Sequence, residues 1–303
     1  MTGVTQVADG AAIATLIVGF LAAAVADLRN REVSDRLWQG MGIVGLVAGA
    51  VALAPGGWLP LVLWLLVGGL TLEHMVGWDL WFGPRWEANA DRVELAAYVG
   101  VGAVVSVVAV YDGVGPTTVP WAVVALFAVV VFARILFELG VLYGGADAKA
   151  LMIAGLLVPV LPVPLLYAAP GATTIDLLPF PIALLTNAAL FSMVVPVALA
   201  VRNLRAGEFS FPQGLMTYSL AVRELPRRFV WVKDPAVAGE TRDDAETSAE
   251  DTRHRVAVAR DLEARGIERV RVTPQVPFLA VMAAGAVTAV LAGNLLLDLM
   301  LRL

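Results

Sequence analysis

The feature that limits this chain most is the distribution of its charges. Apolar runs recur from one end to the other, separated by short polar connections. A run of about 17–25 apolar residues is what one helix needs to cross a hydrocarbon layer roughly 30 Å thick. About eight runs approach that length: Ala11–Ala26, Leu37–Ala54, Trp58–Val76, Val93–Val110, Val119–Leu142, Ala148–Ala169, Pro179–Val201 and Val276–Leu301. With 59% apolar and only 16% charged residues, the chain cannot cover the surface of a water-soluble fold of its size. The expected fold is all-α, a polytopic membrane helical bundle of about eight transmembrane helices with one long cytoplasmic segment. This divides the chain into a seven-span bundle over 1–201, a polar and partly flexible segment over 202–275, and a last span over 276–303.

Lys and Arg set the expected orientation. Arg29, Arg31 and Arg36 lie in the first connection, Arg85 and Arg92 in the third, Lys149 in the fifth, and a basic-rich series from Arg202 to Arg271 in the seventh. The even-numbered connections, at Pro55–Gly57, Tyr111–Thr118 and Pro170–Leu178, carry none. Cytoplasmic loops retain positive charge, so this alternation places the odd connections in the cytoplasm and both termini outside a cell membrane. Met1–Gly10 carries Asp9 and no basic residue, so the first run is read as a retained span rather than a cleaved leader. The absence of cysteine excludes disulfides, thiol nucleophiles and Cys-ligated metal centres. A phosphate-binding glycine loop, an HExxH pair and the Asp-Thr/Ser-Gly motif of soluble aspartic proteases are missing too, and neither metal nor cofactor is expected.

Two aspartates carry the chemical interest. From Asp9 to Asp27 a helix rises on the order of 27 Å, which draws Asp27 to the inner boundary of the membrane or just beneath it. Asp27 can simply end the span, but a carboxylate at such a depth is costly and often functional. The second lies in Tyr143-Gly144-Gly145-Ala146-Asp147-Ala148-Lys149, where two glycines permit a sharp turn into the next helix. Asp147 then sits where helix N–H groups favour negative charge, and its plainer role is an N-cap. By topology both acids come out on the same face at similar depth. Two such carboxyls, brought close, can share a proton, one acting as base on water and the other as acid toward a carbonyl oxygen. Lys149 either lowers the pKa of one of them or serves as a topology anchor.

The flank Asp27-x-Arg29-x-Arg31-Glu32-Val33-Ser34-Asp35-x-Leu37-Trp38 and the motif Gly144-Gly145-Ala146-Asp147-x-Lys149 together resemble the archaeal preflagellin and prepilin peptidases. These are relatives of the bacterial type IV prepilin peptidases among the GxGD membrane aspartic proteases. Val270–Leu279 is similar to that family's approach to its last span, and the high ratio of Arg to Lys resembles its halophilic branch. The resemblance covers about a quarter of the chain, with its parts in the same order. It implies catalytic aspartates at Asp27 and Asp147, an active-site motif of Gly144, Gly145, Ala146 and Lys149, and supporting roles for Arg29, Arg31, Glu32 and Asp35. It also implies a substrate: a pilin or archaellin precursor whose short basic leader is cut from a hydrophobic helix on the cytoplasmic side. Ala146 stands where the bacterial form has its second glycine, and about eight spans exceed those of simpler archaeal relatives. The bacterial relatives' Cys-rich zinc module has no counterpart, so N-methylation is not expected.

The main alternative is a secondary transporter or channel that uses Asp27 and Asp147 as ion or proton sites. Such proteins usually bind at the midplane and carry internal repeats, and residues 1–142 and 148–303 show none. A membrane scaffold is a third reading. Other polar residues have structural explanations. Glu73 and His74 invite a metal or proton-relay reading, with a surface-facing pair as the plainer one. Arg134 and Glu138, four apart, can pair on one helix face. Trp78, Trp81 and Trp86 suit aromatic anchoring, and Gly45 and Gly49 a close-packing seam. Pro159, Pro162 and Pro164 should break the sixth run. In the polar segment, Arg253–Ile267 reads as an amphipathic helix with Val256, Ala259, Leu262 and Ile267 inward. Acidic residues interleave its basic ones, so the partner is lipid rather than nucleic acid.

Overall fold

The computed structural model describes residues 3–76, 90–112, 120–142, 145–162, 178–233 and 248–302. Gly144 of the candidate motif, together with Arg85, Pro164 and the three tryptophans at 78, 81 and 86, lies outside them. The chain divides into two units, Met1–Ala26, Val33–Ala189 and Leu279–Leu303 in the first, Asp27–Glu32 and Leu190–Phe278 in the second. Those boundaries differ from 201/202 and 275/276: Asp27–Glu32 and the stretch from Leu190 belong with the second unit.

The apolar runs become helices, as their length and lack of polar breaks require. In chain order they are α1 (Gly3–Asn30), α2 (Asp35–Leu53), α3 (Trp58–Val76), α4 (Ala90–Asp112), α5 (Trp121–Glu138), α6 (Gly145–Leu157), α7 (Phe180–Ser192) and α8 (Val194–Arg205). After the polar segment come α9 (Ser248–Ala264), α10 (Phe278–Ala292) and α11 (Leu295–Arg302). Among the described residues six helical stretches are long and apolar enough to cross a membrane, or seven if the bent pair α10–α11 is one span. The chain is therefore compatible with a multi-pass membrane protein, and the described residues account for six or seven of the eight expected runs.

Two runs account for the difference. The sixth, expected over Ala148–Ala169, leaves the helix after Leu157 and stays non-helical through Pro162, the last described residue of that segment, because Pro159 restricts the residue before it and cannot donate to the helix ladder. Thirteen residues rise about 20 Å, short of a hydrocarbon core of roughly 30 Å. Every residue from Ala150 to Leu157 is buried, so α6 sits inside protein. Leu161 N–H donates to Leu178 O at 2.9 Å and Phe180 N–H to Pro159 O at 3.4 Å, which brings the end of this segment beside the start of α7. The last run is bent by 49° between α10 and α11, at Gly293, whose φ of 79° a side chain would resist. Asn187, fully buried on α7, holds the break: its amide donates to Gly293 O at 2.9 Å, and its carbonyl accepts from Leu295 N–H at 3.0 Å.

Within the first unit small residues set the approach of neighbouring helices. A Cβ added at Gly45 of α2 would lie 2.9 Å from Leu156 O of α6, and one at Gly285 of α10 would lie 2.5 Å from Leu184 O of α7. Gly49 faces the Trp64 ring, whose indole N–H donates to Leu46 O at 3.0 Å. Gly45 and Gly49 are thus a packing seam, and Phe20 meets Trp38 edge-on, with ring centroids 6.2 Å apart.

The second unit departs from the all-α expectation. Its strands β1 (Tyr218–Ala221), β2 (Val230–Val232) and β3 (Arg269–Pro274) form an antiparallel sheet in the order β1-β3-β2, with Tyr218 opposite Val272 and Val230 opposite Pro274. β3 alternates exposed Arg269 and Arg271 with buried Val270 and Val272, the period of a half-buried strand. Val270 and Val272 therefore belong to a sheet core, and the last helix begins only at Phe278. Leu220, Leu225, Val230, Val258 and Leu262 join them in that core, with Leu199 from α8. The amphipathic helix is α9, with Val258, Ala259 and Leu262 inward, Val256 half-buried and Ile267 packed at its edge. Asn203 ties α8 down by donating to Gly214 O and Thr217 O at 2.8 and 2.7 Å. Much of 202–275 is thus a folded α/β element rather than a loose segment; residues 234–247 lie outside the described set.

Candidate functional site

Asp27 lies at the start of the last turn of α1, within the short stretch that belongs to the second unit. Its side chain is only 13% exposed, and Arg31 Nη1 approaches Asp27 Oδ1 to 3.6 Å. Arg31 ends the helix: its N–H donates to Asp27 O at 3.1 Å, and its φ of 60° makes it the one non-glycine residue in the left-handed region among the described residues. That backbone state costs about 1–2 kcal/mol for a residue with a Cβ, and the Arg31 side chain supplies compensating contacts. Arg31 Nη2 donates to Gln275 O at 2.9 Å, and its guanidinium lies over the Phe229 ring at 5.0 Å. Arg255, buried on α9, lies over the same ring at 5.2 Å. Gln275 N–H donates to Phe229 O at 3.0 Å, closing the cluster. Arg31 is therefore a positioning residue for Asp27, whereas Arg29 and Glu32 are exposed.

The other motif residues lie in the first unit. Gly145 opens α6, Ala146 and Asp147 follow in its first turn, and Asp147 is half-buried where the helix dipole stabilises a carboxylate. Lys149 Nζ donates to Asp35 Oδ1 at 2.6 Å. Asp35 opens α2 and is half-exposed, so the bond joins two helix starts of the first unit across 114 residues of sequence. Lys149 thus ties the start of α6 to the start of α2.

A third group of polar side chains lies apart from these. Glu73 and His74 near the end of α3 were expected to face the surface, yet their side chains are 13% and 10% exposed. Glu94 of α4 joins them, 15% exposed. His74 Nδ1 lies 3.7 Å from Glu73 Oε2 and 3.8 Å from Glu94 Oε1, and the Tyr98 hydroxyl hydrogen-bonds His74 Nε2. The ligating atoms of Glu73, His74 and Glu94 all fall within 4.8 Å of one another. Arg134 makes the expected pair with Glu138 at 2.7 Å, and its other arm reaches Glu94 Oε1 at 3.2 Å. A cleft of about 650 Å³ opens beside this group, lined by Glu94, Tyr98, Phe127, Val131, Arg134 and Glu138. The sequence hint was the Glu73-His74 pair; Glu94 arrives from another helix, at a spacing no local pattern encodes. No known family model matches the chain, nor does any curated protein.

Proposed function

We propose that this chain is a membrane-embedded aspartic endopeptidase that removes the short basic leader from pilin- or archaellin-like precursors at the cytoplasmic boundary of the cell membrane. The reading starts from the likeness of its two motif segments to the preflagellin and prepilin peptidases. The observation that supports it most is the Lys149–Asp35 bond, which brings together, within the first unit, charged residues of the two motif segments that lie far apart in sequence. A nearly buried carboxylate at the end of α1, oriented by Arg31, is a second support. In the proposed reaction one carboxylate of the Asp27–Asp147 pair takes a proton from water, which attacks the scissile carbonyl. The other, protonated, stabilises the developing oxyanion and passes its proton toward the leaving amine. Two carboxyls that share a proton in such a reaction titrate as a pair. The peptide supplies its own apolar helix to the bilayer and its basic leader to the cytoplasmic side.

The test is co-expression with a pilin- or archaellin-type precursor, followed by the mobility shift on leader removal. Asp27→Asn and Asp147→Asn should each reduce cleavage by at least about 100-fold, the scale of a lost general acid or base, while membrane insertion persists. Normal processing by either variant would overturn the dyad.

A further inference from the structure

Glu73, His74 and Glu94 form a second polar site, independent of the proposed catalytic pair, and we infer that it is a binding site for a divalent transition-metal ion of the zinc, manganese or cobalt type. The first argument is geometric. Two donors on such an ion, each about 2.1 Å from it and about 110–120° apart, are separated by roughly 3.4–3.6 Å. His74 Nδ1 stands 3.7 Å from Glu73 Oε2 and 3.8 Å from Glu94 Oε1. These gaps are too long for hydrogen bonds and within a few tenths of an ångström of a shared coordination sphere.

The second argument concerns the histidine's partner. Tyr98 holds Nε2. In the tautomer that donates Nε2–H to that hydroxyl, the Nδ1 lone pair is turned toward two carboxylate oxygens. Three acceptors held within 4.8 Å of one another repel each other unless a cation or a proton lies between them. An outer-shell partner that fixes the imidazole in this way is the usual companion of a metal-ligating histidine.

The third is burial. Glu73 Oε2 is inaccessible and accepts no hydrogen bond among the described residues, and such an oxygen in an apolar helical bundle is costly unless a charge compensates it. Arg134 takes part of the load on Glu94 while also binding Glu138. A carboxylate oxygen has two lone pairs, so Glu94 Oε1 can face Arg134 with one and a metal with the other. The adjoining cleft gives an ion access, and a water from it can fill the fourth position. Glu73 and His74 come from α3 and Glu94 from α4, so the ion would clamp these two helices together.

The test uses the full-length protein in detergent, stripped with a chelator and titrated with Co²⁺, with visible absorption and elemental analysis as readouts. One Co²⁺ per chain, displaced by Zn²⁺, is the expected result. His74→Ala and Glu73→Gln should bring uptake to background. Tyr98→Phe, which leaves all three ligands in place, should weaken binding about 10- to 100-fold, the range for lost outer-shell support. Asp27→Asn should bind Co²⁺ as the unaltered chain does, which separates this site from the peptidase reading. Absence of stoichiometric uptake by the unaltered protein would overturn the proposal, as would uptake that survives in His74→Ala. If the His74 variant does not fold, full Co²⁺ affinity in Tyr98→Phe would count against it equally.

Discussion

Helices α4 and α6 are both rich in small apolar residues, yet they meet opposite surroundings. In α4 Leu95, Val99, Val107 and Val110 point outward, with Val105 fully buried. In α6 every side chain from Ala150 to Leu157 is enclosed. Length separates them: α4 has 23 residues and can cross a bilayer, whereas α6 has 13 and cannot. Composition separates them more subtly, because Ala148, Ala150, Ala154 and Gly155 let α2 and α5 close around α6. Apolar side chains declare only that they avoid water. Whether lipid or protein replaces it depends on the neighbours.

Substitutions can break this contrast. The largest expected effect is in α6: Ile153→Ala removes a fully buried side chain and should cost about 2–5 kcal/mol, whereas Val107→Ala on the outward side of α4 should stay within about 0.5 kcal/mol. Thermal denaturation in detergent reads both, and equal effects would erase the distinction. Next is the seam that admits α6. Gly45→Val forces atoms into a space where even one Cβ lies 2.9 Å from Leu156 O, for a loss of about 1–3 kcal/mol. The same change at Gly100, where a Cβ meets nothing within 4 Å, should cost much less.

The first unit was largely legible in the sequence and the second was not. Hydropathy locates α1 to α5, and Pro159 marks where α6 stops. The burial of α6 is hidden because Leu151 and Ile153 look alike to lipid and to protein. The sheet left one readable trace, the alternation Arg269-Val270-Arg271-Val272. It is short and lies beside an apolar run, which makes it look like the approach to a membrane helix. At the candidate sites Asp27 and Asp147 stand out because charge is scarce. The Lys149–Asp35 bond and the arrival of Glu94 beside His74 depend on how helices pack, which no local spacing specifies.

Smaller predictions sharpen the contrast between the two motif segments. At Arg31 the backbone is strained and one arm of the side chain is bonded to Gln275 O. Arg31→Ala should therefore be less stable than Arg31→Gly by about 1 kcal/mol, since glycine relieves the positive φ while both lose the same contacts. Equal melting temperatures for the two would show that the left-handed state carries no strain. At Lys149 the partner Asp35 is 54% exposed, so Lys149→Gln should cost no more than about 0.5 kcal/mol after solvent screening. Exchanging the two charges should recover that small loss in a double-mutant cycle, and an unrecovered loss would place the effect elsewhere.

The bond from Arg31 to the Gln275 carbonyl spans 244 positions of sequence. A ribosome adding about 5–20 residues per second needs on the order of 10–50 s to travel that far. During that interval α1 can already be inserted while the cap that orients Asp27 waits for a strand not yet synthesised. The surroundings of this carboxylate are among the last parts of the protein to be assembled. A chain terminated before Gln275 should keep its first helices and leave Asp27 without its clasp.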